Sequence, residues 1–290
     1  MKKLVRKYLP ETLQSILRRV YHRYPLLRKI YYSPQDCLEL LSKKKGDMQP
    51  LRSLISVGDS NFKQIGQEYL GHFIRIGGLQ PHEWVLEIGC GIGRMAIPLT
   101  TYLNETGSYD GFDIARAEIK WCKKKITPHF ANFNFHYIDV HNDQTNPKGK
   151  FQASSYQFPL AAGQYDFVFL TSVFTHMLID DIENYLKEIS RVLKTGGRSL
   201  ASYFLLNSEA LSLLKTKGSK FKHPYGSSLV IDPKLPEASI AHEEKTIRAL
   251  YRKFNLHILE PIHYGSWCRR DEFLSSQDIL VAEKNGSRPK

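Results

Sequence analysis

Trp84-Val-Leu-Glu-Ile-Gly-Cys-Gly-Ile-Gly-Arg94 is a short apolar run that ends near an acidic residue and continues into a turn with a glycine at every second position. The apolar part is typical of a buried strand, and the alternating glycines let the backbone approach a ligand closely. Apolar side chains then recur at helical spacing from Met95 to Leu103, so we expect a helix to begin at about Arg94. Glycines at a helix N-terminus present backbone N–H groups to a ligand, and this stretch therefore predicts a cofactor site.

Strand-like and helical patterns alternate from residue 62 onward. Strands separated by helices form a parallel sheet covered on both faces. We therefore expect an α/β fold with a doubly wound, mostly parallel seven-stranded sheet. The last two strand-like runs are joined without a helix, which predicts one antiparallel edge strand. The strand-like runs are 84–88, 107–113, 133–138, 165–170, 197–204, 256–264 and 277–283, and the helical runs are 62–77, 94–103, 115–130, 180–193, 208–215 and 241–254.

The sequence divides the chain into three parts. Residues 1–61 are expected to form a basic helical arm or cap, residues 62–285 the α/β domain, and residues 286–290 a tail. Two polar stretches inside the domain, 141–164 and 216–239, are longer than ordinary connections, which have a median of about 4–6 residues. Loops of this kind carry specificity or cover a site, and a solvated surface insertion is the alternative for each.

Positive charge is concentrated at the N-terminus. The formal net charge is +12, and residues 1–45 contain twelve Lys and Arg residues against three acidic residues, a net charge of +9. The rest of the chain is nearly neutral, so a nucleic-acid partner is disfavoured. Apolar residues between 11 and 24 recur at helical spacing and predict an amphipathic, basic helix. This helix either makes peripheral contact with an anionic membrane, through residues 1–45, or packs on the domain as a cap.

The composition is that of an ordinary globular protein, with 42% hydrophobic and 24% charged residues. Its four cysteines, Cys37, Cys90, Cys122 and Cys268, form no Cys-x-x-Cys pair, so we expect neither a metal site nor a disulfide framework, and a cytoplasmic location. No apolar run reaches the roughly 18 residues of a membrane span, and no apolar segment follows the basic N-terminus. Neither a membrane-spanning helix nor an export signal is therefore expected.

Acidic residues lie at or near the ends of the first three strand-like runs. Glu87 precedes the glycine turn, where a carboxylate would repel a dinucleotide pyrophosphate but would suit a positively charged cofactor. Asp113 ends the second run about 20 residues past the turn, where doubly wound folds place a carboxylate on ribose hydroxyls. Asp139 follows the third run, where it could accept a hydrogen bond from an exocyclic amine or cap a turn.

Polar residues also follow the fourth strand-like run, in Thr171-Ser-Val-Phe-Thr-His-Met177. The carboxyl ends of strands in such sheets face the ligand crevice, so Ser172, Thr175 and His176 are expected near the reaction site. Imidazole titrates near neutral pH, which makes His176 the candidate general base. The alternative is a histidine that caps a helix or hydrogen-bonds to the backbone.

These motifs, in this order, resemble those of the class I S-adenosylmethionine-dependent methyltransferases. The run from Glu87 to Gly93 is similar to the first family motif, E/D-x-G-x-G-x-G. Residues 165–170 are similar to the fourth motif, and residues 193–198 to the turn that enters the fifth strand. The resemblance covers roughly residues 62–285, and it implies a Rossmann-like fold, S-adenosyl-L-methionine as cofactor and no required metal.

The resemblance also implies which residues hold the cofactor. Asp113 matches the acid that binds both ribose hydroxyls, with Ile114 beside the adenine. Asp139 and Val140 match positions that contact the adenine. The predicted cofactor-binding residues are Glu87, Gly89, Cys90, Gly91, Gly93, Arg94, Asp113, Ile114, Asp139, Val140 and Ser172.

The methyl acceptor is predicted from segments outside the cofactor motifs. Small-molecule members of the family build its site from an N-terminal cap, the insertion after the fifth strand and the final loops. Residues of those segments that could hold an aromatic, sugar or anionic acceptor are His223, Tyr225, Tyr264, Trp267 and Arg269. A sulfonium methyl is already activated, so the protein mainly aligns the acceptor and excludes water. We expect transfer to a small-molecule, lipid or glycan acceptor, with oxygen as the favoured atom.

Two other functions fit parts of the sequence. Gly91-Ile-Gly93-Arg-Met-Ala96 also matches G-x-G-x-x-A, which indicates a nicotinamide-dependent oxidoreductase of Rossmann type. The second alternative is a non-catalytic scaffold that binds the cofactor and is recruited by its basic arm. Glu87 and the later motifs favour the methyltransferase. Base-amine methylation is disfavoured because Thr171-Ser-Val-Phe stands where an N-P-P-Y signature would be. The oligomeric state stays open.

Overall fold

The computed structural model describes residues 25–42, 48–55 and 61–286. The amphipathic helix predicted at 11–24 lies outside these residues. The described part of the arm contains a helix, α1 (Pro25–Ser42), and a 3₁₀ turn at Arg52–Leu54. No helix within the described ranges has the length and hydropathy needed to cross a bilayer.

The strands of the fold form two sheets. The seven-stranded sheet has the order β10-β11-β5-β4-β1-β2-β3, and a four-stranded sheet has the order β6-β9-β8-β7. The strands are β1 (Trp84–Ile88), β2 (Ser108–Asp113), β3 (Phe133–Tyr137), β4 (Tyr165–Leu170), β5 (Leu193–Tyr203), β6 (Leu205–Leu206), β7 (His223–Tyr225), β8 (Ser228–Val230), β9 (Ile240–Glu243), β10 (Leu256–His263) and β11 (Asp278–Lys284).

The large sheet confirms the doubly wound, mostly parallel arrangement. Strands β1 to β5 are parallel to one another, and β11 runs antiparallel between β5 and the edge strand β10. Chain order reverses between β1 and β4, which lie side by side although β2 and β3 come between them in sequence. Such a switch point leaves a crevice at the carboxyl ends of the strands, and the candidate site lies there.

Helices cover both faces of the large sheet because its strands are apolar on both sides. Val85 of β1 belongs to one core cluster, whereas Leu86 and Ile88 belong to the other. The first cluster is covered by α2 (Phe62–Arg75), α3 (Ala96–Leu99) and α4 (Arg116–Lys125), and the second by α5 (Ile179–Val192) and α7 (Glu244–Lys253). A strand buried on both faces is fixed in register by two sets of contacts.

The small sheet was not predicted from the sequence. Its strands have two to four residues, too few for an alternating pattern to stand out. Strands β7 and β8 lie within the predicted insertion 216–239, and β6 and β9 lie on either side of it in the sequence. Strand β9 pairs in parallel with β6 and antiparallel with β8. Helix α6 (Ser208–Lys217) packs with Phe221, Ala241 and Cys268 in a separate apolar cluster, which ties this sheet to the final loop.

Two element boundaries near the site differ from the sequence prediction. The α-helix after the glycine turn is limited to Ala96–Leu99. Thr100 Oγ1 donates to the Ile97 carbonyl at 2.6 Å and Thr101 Oγ1 to the Pro98 carbonyl at 2.9 Å, so side-chain hydroxyls compete for carbonyls that a longer helix would use. Strand β5 begins at Leu193, and the predicted Thr-Gly-Gly turn lies within it.

Candidate cofactor and acceptor site

The glycine turn adopts a backbone conformation that other residues rarely adopt. Gly89, Gly91 and Gly93 have φ angles of 77°, 50° and 78°. A Cβ atom on Gly89 would lie 2.4 Å from Cγ2 of Val173, and one on Gly93 would lie 2.8 Å from Cδ1 of Ile126. The turn is therefore held tightly between the segment after β4 and the end of α4, and its glycines serve both conformation and space.

Backbone hydrogen bonds fix the turn against β2. The N–H groups of Gly89 and Cys90 both donate to the Phe112 carbonyl, at 2.8 and 3.1 Å. Cys90 is buried, and burial raises the pKa of its thiol well above the usual range. The side chain is thus a small, neutral group, and the backbone of the turn is the part that can meet a ligand.

Asp113 links the end of β2 to the glycine turn. Its Oδ2 accepts from the N–H of Gly91 and its Oδ1 from the N–H of Ala115, each at 2.7 Å. Burial raises the pKa of this carboxyl, and the backbone donors oppose the rise. Each oxygen has two lone pairs, so two further donors, such as vicinal hydroxyls, can still be accepted.

Glu87 lies behind the turn, fully inside the protein. The Tyr109 hydroxyl donates to its Oε2 at 2.5 Å. Burial raises the pKa of Glu87 to about 8, and the charge of Asp113 adds to the rise, while Tyr109 and Arg94 oppose it. A carboxyl in this state is mostly protonated at neutral pH, and a nearby positive charge would favour its ionised form.

Arg94 leaves the turn on the side of the N-terminal arm. Its guanidinium lies 5.4 Å from the ring centroid of Phe62, the first residue of α2. Phe62 also packs with Ile55 of the arm and Ile92 of the turn in one apolar cluster. The described end of the arm is therefore in contact with the glycine turn.

Asp139 follows β3 and is charged at neutral pH. Its Oδ1 accepts from the Tyr137 hydroxyl at 2.7 Å and from Asn146 Nδ2 at 3.2 Å, and these hydrogen bonds lower its pKa. Val140 beside it is buried in the same apolar cluster that Ile114 packs against. An acidic side chain and an apolar wall thus lie next to each other at the ends of β2 and β3, a combination that suits a purine with an exocyclic amine.

Ser172 is directed toward β5 and β11. It has a positive φ of 59°, and its N–H donates to Ser202 Oγ at 2.7 Å. The hydroxyls of Ser172 and Ser202 both donate to Oε1 of Gln277, at 3.0 and 2.7 Å. No sequence motif pointed to Ser202 or Gln277. The hydroxyl proton and the backbone N–H of Ser172 therefore both have acceptors within the protein.

His176 is oriented by the segment that precedes β9. Its Nδ1 lies 2.9 Å from the Glu237 carbonyl oxygen, which can only accept, so Nδ1 carries the proton. Burial lowers the pKa of this imidazole, and the carbonyls of Glu237 and Ala238 oppose the change. The basic lone pair of the neutral ring is consequently on Nε2. Sequence reasoning missed Glu237 because it is 61 residues from His176.

A second histidine supports the turn that carries His176. His242 is fully buried, and burial lowers its pKa to about 4. Its Nε2 lies 3.3 Å from the Phe174 carbonyl, and its Nδ1 lies 3.1 Å from Ser228 Oγ. Nε2 therefore donates to Phe174 and Nδ1 accepts from Ser228. This residue belongs to β9 of the small sheet, so no sequence signal pointed to it.

Tyr225 is the predicted acceptor residue that borders a cavity. The cavity has a volume of about 360 Å³ and lies between the two insertions and the start of α5. Glu237, whose carbonyl orients His176, also lines it. The other lining residues are His141, Asp143, Gln152, Ala153, Ser154, Leu178, Asp180, Asp181 and Pro236. His223, at the start of the same short strand, is not among them.

The three predicted acceptor residues of the final loop have partners within the protein. The Trp267 indole N–H donates to Asp278 Oδ2 at 2.7 Å, and the Tyr264 hydroxyl donates to Glu244 at 3.0 Å. The Arg269 guanidinium donates to the carbonyl of Lys217, the last residue of α6. These side chains lie around the final loop, and none of them lines the cavity beside Tyr225.

The fold and the glycine turn define the class of Rossmann-like cofactor-binding domains. A sequence profile of a family described as a methyltransferase domain matches residues 86–201, which run from β1 through most of β5. This match identifies residues 86–201 as a methyltransferase domain, and it supports a class I S-adenosylmethionine-dependent methyltransferase with S-adenosyl-L-methionine as its cofactor. The matched range contains the glycine turn, Asp113, Asp139 and His176.

Solved structures show the same fold at low sequence identity. A protein from Pyrococcus horikoshii has a TM-score of 0.54 and 14% identity, covering 84% of this chain and 100% of that chain. Magnesium protoporphyrin IX methyltransferase from Synechocystis, with bound SAH, has a TM-score of 0.50 and 18% identity, covering 98% and 100%. An S-adenosylmethionine-dependent methyltransferase from Clostridium acetobutylicum has a TM-score of 0.50 and 14% identity, covering 79% and 94%. These likenesses establish the fold alone.

Proposed function

We propose that this methyltransferase methylates a hydroxyl oxygen of a small-molecule, lipid or glycan acceptor, with His176 as general base. The observation that carries the proposal is the 2.9 Å contact between Nδ1 of His176 and the Glu237 carbonyl. It fixes the tautomer in which Nε2 is basic, and a lowered pKa keeps the ring neutral at physiological pH. A neutral, oriented imidazole is suited to take the proton that a hydroxyl loses as it attacks.

The cofactor cradle in this proposal is formed by the ends of β1, β2 and β3. Asp113 binds both ribose hydroxyls, supported by the two lone pairs that its backbone donors leave free. Ile114 and Val140 border the adenine, and Asp139 accepts from its exocyclic amine. The remaining residues, Glu87, Gly89, Cys90, Gly91, Gly93, Arg94 and Ser172, line the part of the cofactor that carries the methionyl group.

Bound S-adenosyl-L-methionine supplies a methyl group that is already activated for transfer. The residues of the chain therefore need to orient the acceptor, exclude water and accept one proton. His176 accepts that proton at Nε2, and the Glu237 carbonyl holds the ring while it is charged. Glu87 favours the positive charge of the cofactor, because its buried carboxyl ionises more readily beside a cation.

The acceptor in this proposal enters from the cavity that Tyr225 borders. The cavity volume of about 360 Å³ suits a small molecule or the head of a larger one. Tyr225 is the proposed contact with the acceptor. His223, Tyr264, Trp267 and Arg269 do not line this cavity. We propose that the last three act on the acceptor site indirectly, by holding the final loop through their hydrogen bonds.

We propose that the chain is divided as the sequence predicts. Residues 62–285 form the catalytic domain with specificity segments at 141–164 and 216–239, residues 1–61 form a cap, and 286–290 form a tail. The packing of Ile55 against Ile92 supports the cap, because it brings the arm onto the glycine turn. We also propose a cytoplasmic location with peripheral membrane contact through residues 1–45.

Product labelling tests the proposed function. The full chain is incubated with S-adenosylmethionine labelled on its methyl group and with fractionated extract, and labelled products are identified. We expect the labelled methyl group on an ether oxygen, and no such product from reactions with His176→Ala. Label on nitrogen or carbon, or equal labelling by His176→Ala, would refute the oxygen acceptor or the base. Tight binding of NADH without binding of S-adenosylmethionine would instead favour a nicotinamide-dependent enzyme.

A further inference from the structure

Helix α1 presents an apolar stripe to solvent. Ile30 and Tyr31 are each 63% exposed, Leu38 is 68% exposed and Leu41 is 86% exposed. At about 100° per residue, these four positions fall within one arc of about 100° on the helix surface. Isolated exposed apolar residues are ordinary, but four on one side of one helix form a continuous patch.

The opposite side of α1 anchors it to the rest of the chain. Tyr32 and Asp36 are buried, and Asp36 Oδ1 accepts from the Ser53 N–H at 3.1 Å. The Arg52 guanidinium lies 5.5 Å from the Tyr32 ring centroid. Three residues after Arg52, Ile55 joins the cluster that contains Ile92 of the glycine turn. Among the described residues, the stripe is therefore the exposed side of a helix whose other side is packed.

The sequence segment that contains α1 is strongly basic. Residues 1–45 carry twelve Lys and Arg residues and three acidic residues. One of the three, Asp36, is directed inward, where its carboxylate accepts the Ser53 N–H. Lys43, Lys44 and Lys45 follow α1 directly in the sequence. A partner of this segment should therefore combine negative charge with an apolar interior.

An anionic bilayer has both properties. Basic residues near its surface are attracted to anionic headgroups, and apolar side chains on one side of a helix enter the headgroup and acyl boundary. A second copy of the chain would bring two segments of the same high positive charge together, which opposes association. Nucleic acid would satisfy the charge but would leave the aliphatic stripe in water.

We propose that α1 is an interfacial helix that docks this enzyme on an anionic lipid surface, with Ile30, Tyr31, Leu38 and Leu41 inserted into the membrane. This surface is separate from the cofactor cradle. The inference rests on the membrane contact proposed above for residues 1–45, and it names the helix and the side chains that make that contact. It holds for an acceptor that is a lipid and for one that is water-soluble.

Vesicle binding tests the proposal with the full chain. Co-sedimentation is measured with phosphatidylcholine vesicles, with and without about a third phosphatidylglycerol. We expect binding only to the anionic vesicles, weakening as salt is added. A double variant, Leu38→Ser with Leu41→Ser, should bind them about tenfold more weakly. The matched control is Leu211→Ser, since Leu211 is 50% exposed on α6, and it should bind like the parent protein.

Calorimetric titration with S-adenosylmethionine shows whether each variant is folded. A variant that binds the cofactor normally but does not bind vesicles has lost only the docking surface. Equal vesicle binding by the double variant and the control would overturn the proposal. So would a dimer in light scattering that the double variant dissociates, because the stripe would then be covered by a second copy.

A spectroscopic measurement gives an independent answer. Cys37 on α1 is exposed, whereas Cys90, Cys122 and Cys268 are buried, so an environment-sensitive thiol dye should react at Cys37. We expect its emission to rise and shift to the blue with anionic vesicles and to stay constant with neutral ones. Unchanged emission with anionic vesicles would contradict insertion of α1.

Discussion

The two sides of the candidate site are built from contacts of different range. On the cofactor side, at the ends of β1 to β3, the Gly91 N–H and the Asp113 carboxylate are 22 residues apart. On the proposed acceptor side, formed by residues 171–177 and the insertions 141–164 and 216–239, His176 and Glu237 are 61 residues apart. Parallel strands bring successive strand ends together whatever the loops contain, so the cofactor side follows from the fold. The acceptor side depends on how two insertions pack.

This difference indicates that residues on the acceptor side can be substituted without loss of cofactor binding. A substitution on the cofactor side should alter the affinity for the cofactor. A substitution on the acceptor side should alter kcat or the acceptor KM and leave the cofactor affinity unchanged. Substitutions on each side test that separation, and their expected effects range from a large loss of turnover at His176 to a proton release at Glu87.

Replacing the proposed base should have the largest effect on turnover. His176→Ala should lower kcat by about 10²–10⁴-fold, because it removes the proposed proton acceptor. Cofactor affinity by calorimetry should stay within about twofold, since the contacts of His176 are with Glu237. Burial lowers the pKa of His176, so kcat should rise with pH below the ordinary histidine range and then remain level.

The control for this experiment is His257→Ala, an exposed histidine on β10 at the sheet edge. It should keep full turnover. Equal losses in both variants, or a His176→Ala enzyme with an unchanged pH profile, would contradict the assignment of the base.

Adding a methyl group to the glycine turn should mainly damage the cofactor side. Gly89→Ala places a Cβ 2.4 Å from Val173 Cγ2 at a residue with a φ of 77°, so steric overlap adds to backbone strain. We expect cofactor affinity to fall by about 100-fold, with a lower Tm. Gly163 is the matched control, because it has a φ of 63° and a Cβ added there would meet no atom within 4 Å.

Gly163→Ala should show a reduced Tm from strain alone and normal cofactor affinity. If both variants lose the same Tm and bind the cofactor equally well, the close packing of the turn has no role in binding.

Most of the cofactor side and little of the acceptor side could be predicted from the sequence. The runs 84–88 and 165–170 coincide with β1 and β4, because buried parallel strands are continuous apolar runs. His242 could not be found in this way, since its contacts with Phe174 and Ser228 require the small sheet to be formed first. The predicted Ser172 shows the same limit, because its hydroxyl partner Gln277 is 105 residues away.

Removing the carboxylate at the end of β2 should weaken cofactor binding without the steric overlap that Gly89→Ala introduces. Asp113→Ala deletes proposed hydrogen bonds to two ribose hydroxyls and frees the N–H groups of Gly91 and Ala115. A loss of about 1.5–3 kcal/mol, or about 10- to 150-fold in Kd, is expected for bonds to a charged group. Calorimetry measures it directly.

The matched control is Asp166→Asn, which alters a carboxylate at the opposite end of the same sheet. Asp166 accepts from the Trp84 N–H and from Lys194, so the variant disturbs a similar network away from the crevice. Its Kd for the cofactor should match that of the parent protein. An unchanged Kd in Asp113→Ala would remove Asp113 from the cradle.

A change at the mouth of the cavity should affect only the acceptor. Tyr225→Ser should raise the acceptor KM by about tenfold and leave kcat and cofactor affinity within about twofold, because the ring borders the cavity at a distance from the glycine turn. Phe151→Ser, an exposed aromatic residue of the other insertion, is the control and should change neither constant. A cofactor Kd that moves with Tyr225→Ser would show that the two sides are coupled.

The smallest expected effect is a proton released when the cofactor binds. The pKa of Glu87 is raised to about 8, above its unfolded value of 4.5, so its contribution to folding is present below the unfolded pKa and is lost as pH rises through about 8. A cationic cofactor should pull this pKa down, releasing up to about one proton near neutral pH and tightening binding by less than about tenfold as pH rises from about 7 to about 8. Calorimetry in buffers of different ionisation enthalpy measures the number of protons released. Glu87→Gln should abolish this release. Asp139→Asn is the control and should preserve it, because the pKa of Asp139 is already lowered in the parent protein. Identical heats in all buffers would mean that the charge of the cofactor is balanced elsewhere, and the acid before the glycine turn would then have a structural role through Tyr109 alone.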